Sequence, residues 1–386
     1  MHQLKYRLLR IAAENYRSLA QVNLPLGQLT ALVGENAVGK SNVMDIIKFL
    51  AEVCHSSLEQ ALADHQGYES VAFRGKEHPP GKMRICLEGI WTQGASEADP
   101  DRYELVVRHR RHPSKGSVLW RTESITRHAG DGAVAVLTVD SRTVTATGPG
   151  WNSLPPSPSP LGAMQSVLEP DGHLLLGPLE RDFVAPLREL LSDARVFEID
   201  VRLAREPWAV TDEVPRLAAD ARNLADFLYG LKRHQPTAWK DLVADMKTVV
   251  KSVVDVDVIG ADRPDRVHVV LTERGLHGVT ALRDASFGTV RLLALLGLAH
   301  DPHSRSLSAI EELDHGVHPD AMGLIMERLR EVQYRTQFLV TTHSESIISK
   351  LDTTEYIHCD RDSKGRSLIG AQTGRRRGTL KPTSVS

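Results

Sequence analysis

Three short stretches hold residue types that could do chemistry on a phosphoanhydride. The first, Gly34-Glu35-Asn36-Ala37-Val38-Gly39-Lys40-Ser41, fits the pattern G-x-x-x-x-G-K-[ST]. Two glycines let the backbone turn sharply, so that successive N–H groups face inward and cradle phosphate oxygens. In such a loop Lys40 places its ammonium on the outer phosphates and Ser41 its hydroxyl on Mg²⁺. The second stretch is the acid pair Glu311-Glu312, directly after an apolar run. One carboxylate can hold the metal shell while its neighbour orients or deprotonates water. Two adjacent acids at a strand's end could also be a solvated turn, but the phosphate loop upstream favours the catalytic reading. The third, Thr341-Thr342-His343-Ser344, also follows an apolar run.

The elements that must position these groups are legible beside them. Ala31, Leu32 and Val33 read as the end of a buried strand. Residues 42–53 read as a helix, with Val43, Ile46, Ile47, Leu50 and Val53 on one face. Its N-terminus would add partial positive charge at the phosphates. Strands are expected over 306–310 and 337–340, an amphipathic helix over 320–332, and a helix apolar nearly all round, hence buried, over 289–299. Strands alternating with helices imply a parallel sheet, and ligands of such sheets sit at the strands' carboxyl ends.

Elsewhere, strands are expected over 6–13, 21–26 and 28–33. A series over 84–91, 102–108, 117–121 and 133–139 suggests an antiparallel sheet. Residues 55–81 give no clear pattern. Residues 148–171, rich in Pro, Gly and Ser, read as an exposed loop. Helices are expected over 182–191 and 223–231, and strands over 195–200 and 267–271. The clearest amphipathic helix spans 239–254, with Trp239, Leu242, Val243, Met246, Val249, Val250 and Val253 on one face. The expected organisation is an N-terminal lobe over 1–145, a Pro/Ser-rich loop over 146–175 and a helical insertion over 176–275. A C-terminal lobe over 276–360 and a basic flexible tail over 361–386 complete it.

Composition narrows the class without choosing within it. Hydrophobic content of 41% and charged content of 25% over 386 residues suit a globular chain larger than one average domain. A formal net charge of −2 gives no global nucleic-acid signature. The three cysteines, Cys54, Cys86 and Cys359, are widely spaced and form no disulfide or metal pattern. The first ten residues are charged, and no apolar run approaches the roughly 18 residues that span a bilayer. A cytoplasmic protein without membrane contact is expected. Apart from the motif positions the seventeen histidines are scattered, and His109/His112 and His300/His303 are single i,i+3 pairs without further ligands at metal spacing. The Arg375–Arg377 run with Lys381 could touch nucleic acid or be a solvated tail.

Four motifs in order now resemble a known family. They are the phosphate loop with Asn42, the run from Ala285 through Ser286, Phe287 and Gly288 to Leu295, the run from Ile310 to Pro319, and Thr341 to Ser344. This order is similar to the RecF/SMC-like branch of ABC ATPases, often grouped as AAA family ATPases, found in OLD-family and anti-phage defence proteins. Glu14 to Leu19 resembles that family's opening turn. The resemblance implies an α/β, P-loop NTPase fold of ABC type: a mixed parallel sheet core with an antiparallel β lobe and a helical insertion. It implies that Gly34, Asn36, Ala37, Val38, Gly39, Lys40, Ser41 and Asn42 bind ATP, with Tyr16 and Arg17 flanking the nucleotide. Ser41 and Glu311 would hold Mg²⁺, Glu312 would be the base, and His343 would contact the γ-phosphate. Ser286 and Gly288 would cap the nucleotide of a second subunit, and Asp314 and His318 would lie where that interface crosses.

Departures from the family pattern are Phe287 where Asp or Gly is usual, Ala285 for Leu, and Ala37 for a third glycine. A Q-loop is not evident, Gln66 being the one candidate. The stretch after His343 is too short for a Toprim nuclease domain, and no heptad run suggests coiled-coil arms. The expected activity is ATP hydrolysis in a homodimer or higher oligomer. The expected role is control of a separate nuclease or toxin in anti-phage defence, which the resemblance and the short architecture favour; the alternative is a RecF-like clamp on DNA in repair. A scaffold that takes ATP and barely turns it over is the third.

Overall fold

The computed structural model describes residues 6–75, 80–112, 116–128, 132–149, 151–171, 176–263, 265–303 and 305–370. In chain order, β1 (Arg7–Tyr16), β2 (Leu19–Pro25) and β3 (Leu29–Val33) lead into the phosphate loop and the helix Lys40–His55. Two short helices, Leu58–Asp64 and Tyr68–Val71, fill the stretch without a clear sequence pattern. Six strands follow: β4 (Lys82–Ile90), β5 (Asp101–His112), β6 (Gly116–His128), β7 (Val134–Asp140), β8 (Thr143–Gly148) and β9 (Trp151–Pro158). Then come β10 (Arg195–Phe197), β11 (Trp208–Ala209), β12 (Val253–Gly260), β13 (Arg266–Glu273), β14 (Thr280–Ala281), β15 (Leu307–Ile310), β16 (Gln337–Thr342), β17 (Tyr356–Arg361) and β18 (Ser367–Ile369).

The core sheet runs β10-β15-β16-β3-β17-β18. Its first five strands are parallel, and β18 turns back antiparallel on β17. Every residue of β3, β15 and β16 is buried, as expected when both faces of a parallel sheet are covered. The covers differ. Leu32, Leu307, Ala309 and Leu339 pack with the helix Lys40–His55 and the antiparallel lobe. Ala31, Val33, Ile310, Phe338 and Val340 pack with the helices Leu224–His234, Phe287–Ala299 and Pro319–Val332. The second sheet is an eight-stranded antiparallel meander, β2-β1-β4-β5-β6-β7-β8-β9.

Three expectations are corrected. The Pro/Ser-rich segment supplies β9, the terminal strand of the meander, where missing N–H groups cost no inner ladder bond. Pro155 and Pro156 fall between the pairs Val144↔Ser157 and Ala146↔Leu154, at a bulge. The helix expected over 239–254 spans Pro236–Val249 instead, and Val253 opens β12. Its β-branched run of Val249, Val250, Val253, Val254, Val256 and Val258 fits pleated backbone better than helix. The helical insertion therefore also holds a small sheet, β11-β13-β12, which β14 from the following segment joins at β13. Of the tail, residues 361–370 close β17 and form β18; Arg375–Arg377 and Lys381 lie outside the described residues.

Candidate nucleotide-binding site

The site grows from the carboxyl ends of β3, β15 and β16, which parallel pairing brings side by side. After β3 the chain turns through Ala37 at φ 65° and Gly39 at φ 104°, both left-handed, and enters its helix at Lys40. Lys40 is buried, and its ammonium donates to the carbonyls of Gly34 at 2.6 Å and Glu35 at 2.7 Å. Burial lowers its pKa, offset by the charges of Asp314 and Glu312 among others. Burial raises the Glu311 pKa, and the Ser41 hydroxyl is near enough to its carboxylate to offset part of that rise. The pairing of β3 with β16 and of β16 with β15 brings the loop and the acid pair together at the sheet edge. Asn42 Nδ2 donates to Ser18 Oγ at 2.5 Å. Asn36 and Ala37 stay exposed at the loop tip, while Val38 is buried beneath it.

The two acids differ. Glu311 is partly buried; desolvation raises its pKa, and the nearby Glu198 carboxylate raises it further. Glu312 is exposed, sits at φ 46°, and its carboxylate meets His315 Nδ1 at 3.0 Å. Its backbone is fixed from two sides: Glu312 N–H donates to Thr341 Oγ1 at 2.8 Å, and Arg291 Nη2 donates to its carbonyl at 2.7 Å. His343 Nδ1 stands 3.5 Å from Asp314 Oδ2, while Asp314 Oδ1 is buried without a hydrogen-bond partner. Lys40, Ser41, Glu311, Glu312 and His343 thus gather at one sheet edge.

The remaining candidates are placed less directly. Ser286 caps the helix Phe287–Ala299, accepting from Thr289 N–H at 3.2 Å. Phe287 is exposed and its ring lies 5.4 Å from that of His315. A Cβ at Gly316 would meet the Phe287 ring at 2.5 Å, and one at Gly288 would meet the Gly316 carbonyl at 2.4 Å. The aromatic that departs from the family pattern therefore covers the loop carrying Asp314 and His315. His318 caps the following helix and is exposed.

Tyr16 does not flank the loop. It is fully buried, its hydroxyl donates to Asp45 Oδ2 at 2.6 Å, and burial holds its pKa well above the usual range. Arg17, in the two-residue turn between β1 and β2, pairs with Asp45 and with His65 Nδ1. It still lines a cavity of about 490 Å³ beside Asn42, Arg74, Arg361 and Lys364. Gln66 is exposed in the turn after the helix Leu58–Asp64.

A family model described as "AAA domain, putative AbiEii toxin, Type IV TA system" matches residues 29–89 and 166–349. The chain belongs to this family. No curated protein matches it. Among solved structures, the SmcHead bound to the C-winged helix domain of ScpA is 14% identical, covering 94% of this chain and 96% of that one at a TM-score of 0.51. An SMC head domain from Thermotoga maritima is 13% identical over 94% and 98%, at a TM-score of 0.46. The first likeness shows the fold. This AAA domain has the fold of an SMC head, with sheets that hold both parallel and antiparallel strands.

Reading the sequence missed several groups at the site. Arg291 is buried and donates to the carbonyls of Glu311, Glu312 and Ile199, which ties its helix to the acid pair. The signal was present: Arg291 is the one charge in an otherwise apolar helix. Glu198 follows β10, whose Phe197 pairs with Ile310, so it arrives beside Glu311 only through strand order. Cys359, Arg361 and Ser367 reach the phosphate loop from a hairpin more than 300 residues away in sequence, and nothing local announces them.

The residues fit the groups that the fold implies. The Ser41 hydroxyl and the Glu311 carboxylate are hard oxygen donors of the kind Mg²⁺ takes, and the adjoining loop offers N–H groups and a buried ammonium to phosphate. Among the described residues no group of three or more His, Cys, Asp or Glu could hold a metal alone. A cation here would share its shell with phosphate oxygens and water. Among the described residues no helix is long and apolar enough to cross a membrane.

Proposed function

We propose that the chain binds and hydrolyses Mg-ATP, dimerises around it, and thereby regulates a separate effector, a nuclease or toxin, in anti-phage defence. The observation that carries the reading is the strand pairing β3-β16-β15, which sets the phosphate loop with its buried Lys40 beside the acid pair from a distant part of the sequence. Membership of a family described through a type IV toxin–antitoxin system supports the defence setting over the repair clamp.

In this reading Lys40 leaves the Gly34 and Glu35 carbonyls for the outer phosphates, and the loop N–H groups neutralise the charge that remains. Ser41 and Glu311 would hold the cation, which would supply charge neutralisation at the phosphate oxygens. Glu312, exposed on a backbone fixed by Arg291 and Thr341, accepts a proton from the attacking water. His343 orients the γ-phosphate from beside Asp314. Ser286 and Gly288 reach the nucleotide of the second subunit.

The test is the solution mass of Glu312→Gln with and without Mg-ATP, beside the wild-type hydrolysis rate. Loss of hydrolysis with an ATP-dependent doubling of mass is expected. A variant that still hydrolyses ATP and keeps its mass removes Glu312 from its role. Salt-dependent binding of duplex DNA by the wild-type protein would favour the repair clamp instead.

A further inference from the structure

The hairpin of β17 and β18 lies beyond the stretch matched by the family model, yet it touches the phosphate loop at three points. β17 pairs in parallel with β3 through His358↔Val33, the last residue before the loop. At the first point a Cβ on Gly34 would stand 2.2 Å from the Cys359 carbonyl, so the backbones are in direct contact. At the second, Arg361 Nη1 donates to the Ala37 carbonyl at 3.0 Å, while its Nε donates to Gly365 at 3.2 Å inside the hairpin turn. At the third, a Cβ on Gly39 would meet Ser367 Oγ at 2.0 Å. Ser367 in turn joins Ser18 through a 2.6 Å hydroxyl contact and a 3.0 Å backbone bond.

We propose that this hairpin is the back wall of the nucleotide site and that Arg361 is a positioning residue for the phosphate loop. The proposal rests on the nucleotide-binding reading above and adds to it a segment outside the family match. Ala37 is the loop residue that most needs holding, because a side chain at φ 65° is disfavoured unless its surroundings fix it. Arg361 is suited to that task. Its guanidinium spans two carbonyls with a rigid fork, linking the loop tip to a turn that is itself anchored by β-pairing. The same side chain lines the cavity of about 490 Å³ with Arg17, Asn42 and Lys364, so Arg361 stands between the loop tip and that space.

The experiment compares Arg361→Ala, Arg361→Lys and Arg366→Ala for Mg-ATP affinity with a fluorescent ATP analogue, and for the KM and kcat of hydrolysis. Arg366 pairs with Asp362 in the same turn and serves as the control for hairpin integrity. Arg361→Ala should weaken binding about tenfold through KM with a smaller change in kcat, since one charge-assisted hydrogen bond at an exposed site is lost. Arg361→Lys should recover part of this, and Arg366→Ala should bind as the wild type does. Wild-type affinity in Arg361→Ala overturns the inference and leaves the nucleotide site standing. Equal losses in Arg361→Ala and Arg366→Ala also overturn it, because hairpin stability would then be the cause. A wild-type protein that does not bind the analogue overturns both.

Discussion

The two large sheets use β-structure in opposite ways. In the antiparallel meander almost every strand pairs with its neighbour in sequence, and β7 and β8 alternate buried with half-exposed residues. Its buried charges look inward. Arg121 and Glu123 pair at 3.1 Å with both side chains sealed from solvent, and Glu123 also accepts from the hydroxyls of Tyr103 and Ser166. In the core sheet, among the described residues, only β15-β16 and β17-β18 are adjacent pairs consecutive in sequence, β3, β15 and β16 are short and wholly buried, and the charged groups collect where these strands stop. Parallel strands present all their carboxyl ends at one edge, so distant segments meet there; a meander distributes its turns over two edges. Polar groups in the first sheet fix a shape, and those in the second are left available for a ligand.

That contrast can be broken experimentally. Replacing Lys40 with Ala should give the largest effect on binding, a loss of roughly a hundredfold in Mg-ATP affinity, because a charged donor to phosphate disappears. Its thermal melting without nucleotide should hardly change, since burial already disfavours the Lys40 charge. Arg121→Met should do the reverse. Leaving Glu123 buried without its cation should cost about 3 kcal/mol of stability, the low end for such pairs given its remaining donors, with Mg-ATP affinity unchanged in the folded fraction. If Arg121→Met weakened binding as strongly as it weakened the fold, the two sheets would be energetically one unit.

Glu311 offers the smallest and sharpest test. Its pKa is raised by burial and by Glu198, so the folded state holds that proton more tightly than the unfolded chain does. Stability from this group therefore falls as pH rises from the ordinary carboxylate range through the raised folded value, and stays lowered above it. Glu311→Gln should accordingly melt higher than the wild type at pH 7.5, with a smaller gain near pH 4. Thermal melts without nucleotide at both pH values read this directly. Equal gains at both would mean that Glu311 is not a carboxylate strained by its setting.

Much of this was legible in the sequence, and the reason is local. Gly34, Gly39, Lys40 and Ser41 must be contiguous because one turn of backbone makes the cradle, and strand β3 and the helix Lys40–His55 announce themselves by apolar spacing on either side. The acid pair and His343 end apolar runs that only a buried strand explains. Local signals failed where two structures suit one composition. The valine-rich stretch after Met246 fits a helix face by spacing but a strand by branching, and packing of β12 on β13 decided it. Pro155 and Pro156 exclude an inner strand, yet nothing in the chain says that an edge lies open for them beside β8.

The sequence by itself determined the fold family, the phosphate loop and the order of its partners, because each rests on contacts within a few residues. Tertiary structure alone decided which strands lie side by side. It brought Ser41 to Glu311, set Glu198 beside them, turned Tyr16 inward to Asp45, and laid Arg361 on Ala37. Those neighbours follow from the order of strands in a sheet, which depends on how covering helices and a second sheet pack against both faces at once.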